Sequence, residues 1–157
     1  MQYLQISLSC FLITLLIPFT IEGKEVRLIT HAKAAPLQKG SETFDWPRFN
    51  GPFDNASSLE TNLVKNWGKN GPKLLWERNK GEGYSSPGVS QGILVLFHRQ
   101  NGMEIIEGLD SATGESKWSY EYPVEYQDRY GYSNGPRASP VIDGDFIYAH
   151  GVTSWLT

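Results

Sequence analysis

Gly108-Leu109-Asp110-Ser111-Ala112-Thr113-Gly114-Glu115-Ser116-Lys117-Trp118 decides how the chain is read. The side-chain oxygens of Asp110 and Thr113 can accept from nearby backbone N–H groups, and Gly114 can take the positive φ that closes such a turn without a Cβ penalty. Upstream, Met103 to Leu109 is a short apolar run with a polar break; downstream, Lys117-Trp118-Ser119-Tyr120 alternates polar and aromatic residues. Both patterns belong to strands packed on one face, so the stretch reads as strand, corner, strand and the fold class as all-β.

Working outward, the same pattern recurs. Trp76, in Lys73-Leu74-Leu75-Trp76-Glu77, precedes Trp118 by 42 positions, the span of a four-stranded repeat. The segment from Ser85 to Val95 aligns without gaps on the segment from Ala138 to Tyr148 at an offset of 53. The two offsets differ by 11 because Trp76 to Pro87 spans 11 positions and Trp118 to Pro140 spans 22, which puts an insertion in 121–137. Strands are expected near 86–90, 93–99, 103–109 and 116–120, and a second unit begins at 138.

The corner resembles the repeat motif A-x-D-x-x-T-G-x-x-x-W of the pyrroloquinoline-quinone (PQQ) type, quinoprotein alcohol dehydrogenase-like β-propellers. Gly108 takes the Ala place, and Asp110, Thr113, Gly114 and Trp118 fall in register. In that family the Trp stacks between the small first residue of its own motif and the Gly turn of the neighbouring blade. Phe44-Asp45-Trp46-Pro47-Arg48-Phe49-Asn50-Gly51-Pro52 is similar to the W-P-x-[WF]-R-G-P opening of exported members, with Asn50 where Arg is usual. The resemblance implies a β-propeller of four-stranded antiparallel blades. About one and a half of them lie in this chain: an aromatic clasp at 44–76, a first blade at 84–120, the insertion at 121–137 and the start of a second blade at 138–157. A closed propeller has typically four to eight blades, so the chain is expected to be the N-terminal part of a longer protein, with a sheet face and edges left open when it is alone.

Ile6 to Ile21 is almost wholly apolar, which suits a secretory signal peptide over residues 1–23; a retained signal anchor is the alternative. The one cysteine, Cys10, lies inside it, so a mature chain has no thiol. Residues 24–43 lack periodicity and read as a linker, although Val26 to Ile29 could form a short strand. Ser57-Ser58-Leu59-Glu60 has capping-box spacing and predicts a short helical turn to about Val64. Asn55-Ala56-Ser57 spells a glycosylation sequon.

With 157 residues, 20% of them charged, and a formal net charge of −3, the chain suits a soluble globular domain. Its Lys and Arg never gather into a basic stripe, which argues against nucleic acid as a partner. Gly131-Tyr132-Ser133-Asn134-Gly135 spells a nucleophile elbow, but Pro136 follows and no helix can open there, so no catalytic residue is assigned. Gly81-Glu82-Gly83 lacks the rest of a phosphate loop, and His31, His98 and His150 share no ligand spacing, so no metal site is assigned. The insertion is rich in Tyr and Arg, types enriched at binding surfaces, and Tyr126, Arg129 and Tyr130 are the candidate anchors for a protein or small-molecule ligand. The alternative is that these rings only cover the side of the first blade.

Two functions follow from the resemblance. One is a non-catalytic, periplasmic or extracellular interaction or ligand-binding scaffold, similar to the propeller of the outer-membrane barrel-assembly machinery, touching membrane only through its signal segment. The other is a dehydrogenase using PQQ and calcium, whose cofactor-binding blades lie outside this chain.

Overall fold

The computed structural model describes residues 27–61 and 63–157; the signal segment expected at 1–23 lies outside them. The described residues form an all-β structure with no helix. Its elements are β1 (Leu28–Thr30), β2 (Trp76–Arg78), β3 (Gly88–Ser90), β4 (Ile93–Gln100), β5 (Met103–Asp110), β6 (Ser116–Pro123), β7 (Val141–Asp143) and β8 (Phe146–Tyr148). β3-β4-β5-β6 make one antiparallel sheet in sequence order, while β1-β2 and β7-β8 are separate antiparallel pairs. The four central strands lie where alternation predicted them, with β6 running on to Pro123.

Local chemistry sets each corner. Gln91-Gly92 and Asn101-Gly102 both have positive φ at both residues, at 50° and 77° and at 52° and 79°. That twist matches the strands of a tight hairpin, and Gly adopts it without strain. At the third corner Asp110 Oδ1 accepts from the N–H groups of Ala112 and Thr113 at 3.0 and 3.1 Å, and Gly114 N–H donates to Asp110 O at 2.8 Å. Lys117 Nζ, 3.2 Å from Asp110 Oδ2, is the main reason that carboxyl lies below its ordinary pKa. Lys117 is the extra residue of a bulge, since Gly108 pairs with Trp118 and Leu109 with Ser116.

The central sheet is covered on both faces. Val95, Phe97 and Ile106 pack on Ile142 and Ala149 of the β7-β8 unit, flanked by Ile93 and Ile147. Side chains of that kind each contribute on the order of 1.5–3 kcal/mol on leaving water. On the opposite face, His98 and Glu107 meet Arg78 of β2. Pro47 O accepts from Ile142 N–H at 2.9 Å, and Trp46 exchanges two 2.8 Å backbone bonds with Val89. The clasp is therefore bonded both to β3 and to β7.

One sequence expectation fails and another holds in part. Among the described residues no helical turn follows Ser57: Ser57 N–H donates to Asn55 Oδ1, Glu60 N–H to Ser58 Oγ, and Phe44 N–H to Glu60 Oε1. The groups a capping box needs are engaged in turns and in the clasp. The short strand foreseen within 26–29 forms as β1 at Leu28–Thr30, so the stretch read as a linker is docked there: β1 pairs with β2, and the N–H groups of His31 and Ala32 both donate to Leu75 O.

Glu107 ties the β1-β2 pair to the sheet. Its carboxylate bonds Arg78 and lies 2.7 Å from His98 Nε2, all three side chains being buried. Gly81 N–H donates to His98 Nδ1 at 3.1 Å. That leaves the proton on Nε2, pointed at Glu107. Burial pushes the Glu107 carboxyl up, but the His98 hydrogen bond and the Arg78 charge together hold it below its ordinary value. A depressed folded pKa stabilises above the unfolded pKa and loses that contribution as pH falls through the folded value. Glu107→Gln should therefore cost on the order of 3 kcal/mol at neutral pH. In denaturant melts between pH 7 and 3, it should also flatten the acid loss of stability, and curves that stay parallel to wild type would contradict the role given to Glu107.

Candidate functional site

Three indoles lie against glycine backbone: Trp46 over Gly51 in the clasp, and two at the corner. Trp118 covers Gly108, its cross-strand partner, where any Cβ would fall inside the ring. Trp76 lies over Gly114, whose Cβ would come 2.6 Å from Cδ2 and Cε3, and Trp76 Nε1–H donates to Ser111 O at 3.1 Å. The residues of the corner, Gly108, Asp110, Thr113, Gly114 and Trp118, thus act together in packing: Asp110 and Thr113 close the turn, and the two glycines receive the rings. Trp118 keeps 38% of its surface exposed.

The segments aligned at an offset of 53 touch at their own equivalent positions. Ser85 Oγ–H donates to Ala138 O at 2.7 Å, and Ser86 N–H to Ser139 Oγ at 3.0 Å. Tyr84 N–H donates to Pro136 O at 2.8 Å, continuing the row.

The insertion is ordered by two polar hubs. Arg99 of β4 donates through Nη1 and Nη2 to the carbonyls of Tyr126, Asn134 and Val124 at 2.9, 3.3 and 3.0 Å. Asp128 is buried and accepts from Tyr132 N–H at 2.9 Å, Arg137 Nη2 at 2.8 Å and Tyr126 O–H at 3.4 Å. The Tyr132 N–H bond, with help from the Arg137 charge and Tyr126, outweighs burial and lowers its pKa.

Of the three candidate anchors, Tyr126 is half-buried under the Arg137 guanidinium, 5.9 Å from its ring centroid. Tyr130 is 71% exposed with the Arg129 guanidinium 5.8 Å from its ring, and Tyr132, 74% exposed, stands 6.2 Å beyond. Tyr84, also exposed, donates to Tyr132 O at 3.4 Å. Tyr84, the clasp and the end of the insertion border an open cavity of about 470 Å³, also lined by Arg48, Arg137, Phe49, Asn50 and Asp54. That volume lies in the range of about 300–1,000 Å³ usual for small-molecule sites.

Sequence reasoning passed over Glu104, which is fully buried. It accepts from Tyr122 O–H at 2.7 Å and Val152 N–H at 3.0 Å, and Gly151 leaves room for it. Burial and the Glu104 carboxylate push the Tyr122 hydroxyl above its ordinary pKa. A Glu set next to the apolar pair Ile105-Ile106 in a strand was the available signal. Ser133 lies in a turn, its Oγ accepting from Gly135 N–H at 3.3 Å. Among the described residues, no group of His, Cys, Asp or Glu side chains gathers as a candidate metal site, and no helix is long and apolar enough to cross a membrane. Comparisons with protein-family models, curated proteins and solved structures found no match.

Asp128 and the exposed rings should separate in thermal melts. Asp128→Ala removes the acceptor of three bonds and should lower the melting temperature and open the insertion to limited proteolysis. The pair Arg129→Ala and Tyr130→Ala should leave both nearly unchanged, whereas an equal drop for the two variants would make Tyr130 a structural pin.

Proposed function

We propose that the chain is part of an exported PQQ-type β-propeller and serves as a non-catalytic scaffold that binds a ligand or partner through the rim carrying the insertion. The observation that carries this reading is the contact between equivalent positions, Ser85 with Ala138 and Ser86 with Ser139. Successive copies related by rotation about one axis meet in that way along their innermost strands. The stacking of Trp76 on Gly114 and of Trp118 on Gly108 supports the same arrangement, as does a four-stranded antiparallel sheet covered on both faces. Binding is favoured over chemistry because the exposed Tyr84, Tyr130 and Tyr132 stand beside a cavity walled by guanidinium, amide and aromatic groups. Such surfaces recognise more readily than they transform. Export rests on the apolar run from Ile6 to Ile21.

Trp118→Ala should cost on the order of 3 kcal/mol in denaturant melts, the loss of a ring packed on backbone. A loss under roughly 0.5 kcal/mol would make Trp118 a surface residue and remove the basis for a blade. The purified chain supplied with PQQ, Ca²⁺ and a redox dye should not oxidise alcohols or sugars above the rate of the free quinone. Turnover above that rate would favour the dehydrogenase.

A further inference from the structure

We infer that the cavity between the clasp and the end of the insertion binds one acidic sugar unit of an oligosaccharide, its carboxylate or sulfate held by Arg48. This rests on the scaffold reading and specifies its ligand. Arg48 spends only Nη1 among the described residues, on a 3.3 Å contact with Asp54, and its buried Nε has no partner there. Arg137 lines the same cavity with Nη2 engaged by Asp128 and by Ser133 O. The unspent edge of a guanidinium matches a planar or tetrahedral oxyanion.

The remaining wall narrows the class. Asp54 is a carboxylate in the lining, and a densely charged polyanion would meet its repulsion. A ligand with one anionic group and several hydroxyls does not, because Asp54 accepts from hydroxyls while Asn50 can both donate and accept. Phe49 and Tyr84, each more than half exposed, offer apolar faces on which the C–H side of a sugar ring can lie. Beyond Tyr84, the exposed rings of Tyr132 and Tyr130 continue the surface, which suits a chain of rings more than a single small molecule.

Isothermal titration of the full chain with four probes tests this: tetragalacturonate, a sulfated galactan tetrasaccharide, its unsulfated counterpart and inorganic sulfate. At least one acidic tetrasaccharide should bind about tenfold or more tightly than both the neutral one and sulfate. Which of the two binds identifies the oxyanion. Arg48→Gln should weaken that binding by about tenfold with an unchanged melting temperature, since its side-chain bond to Asp54 is exposed and its buried Nε has no partner to lose among the described residues, and Tyr84→Ala should weaken it too. The inference is overturned if the neutral tetrasaccharide binds equally well, if sulfate alone binds as tightly, if Arg48→Gln changes nothing, or if the folded chain binds neither acidic probe. Any of these outcomes, together with the stated stability loss for Trp118→Ala, would remove the sugar site and leave the scaffold reading standing.

Discussion

At the Asp110 corner two indole rings rest on backbone where a side chain is missing, and the neighbouring strands are arranged to allow it. Gly108 can sit under Trp118 only because the β5-β6 pairing slips by one residue at Lys117, which places the ring over the glycine. Gly114 can sit under Trp76 only in the left-handed conformation that ends the Asp110 corner, φ 74°. One motif thus fixes a turn, a register and the approach of a second layer. It does so through close packing, since a single methyl at either glycine would occupy space the rings already fill.

A second constraint is the burial of three carboxylates. Glu107 is compensated by Arg78 and His98, and Asp128 by Arg137 and a backbone N–H. Glu104 accepts from the Tyr122 hydroxyl and Val152 N–H. The two glutamates join segments distant in sequence: Glu107 ties β2 to the central sheet, and Glu104 ties residues 151–152 to β5. Asp128 gathers the insertion onto itself. Removing one partner from such a site leaves an unpaired buried group, which is why these contacts specify position more than they add net stability. The exposed Tyr84, Tyr130 and Tyr132 can be presented outward because Arg99 and Asp128 hold the backbone beneath them.

Much of the fold was legible. Alternation located the four central strands, and the Asp110 corner announced its turn, because period and turn chemistry are local properties. The helical turn after Ser57 was misread because capping-box spacing records what the side chains could do locally. It does not record that Glu60 is drawn 16 residues back to Phe44. The docking of residues 28–32 depended on pairing with β2, a contact no local pattern encodes. The insertion was legible as an aromatic loop, but which ring is held and which is free was not. Tyr126 and Tyr130 look alike in sequence, and the bonds of Tyr126 to Asp128 and Arg99, with Arg137 over its ring, set them apart.

The account depends most on Trp76 and Gly114 being mutually required, and a double-mutant cycle measures that. Gly114→Ala, Trp76→Ala and the double variant would be compared by denaturant unfolding. Once the indole is gone, the alanine methyl should meet the cost of its left-handed backbone, about 1 kcal/mol, and Leu28 Cδ1 at 2.8 Å, a side-chain end that can turn away. In the wild-type background it should cost about 2 kcal/mol more than that, giving a coupling of about 2 kcal/mol. A coupling indistinguishable from zero would mean that the ring does not rest on the glycine and that the two layers are joined in some other way.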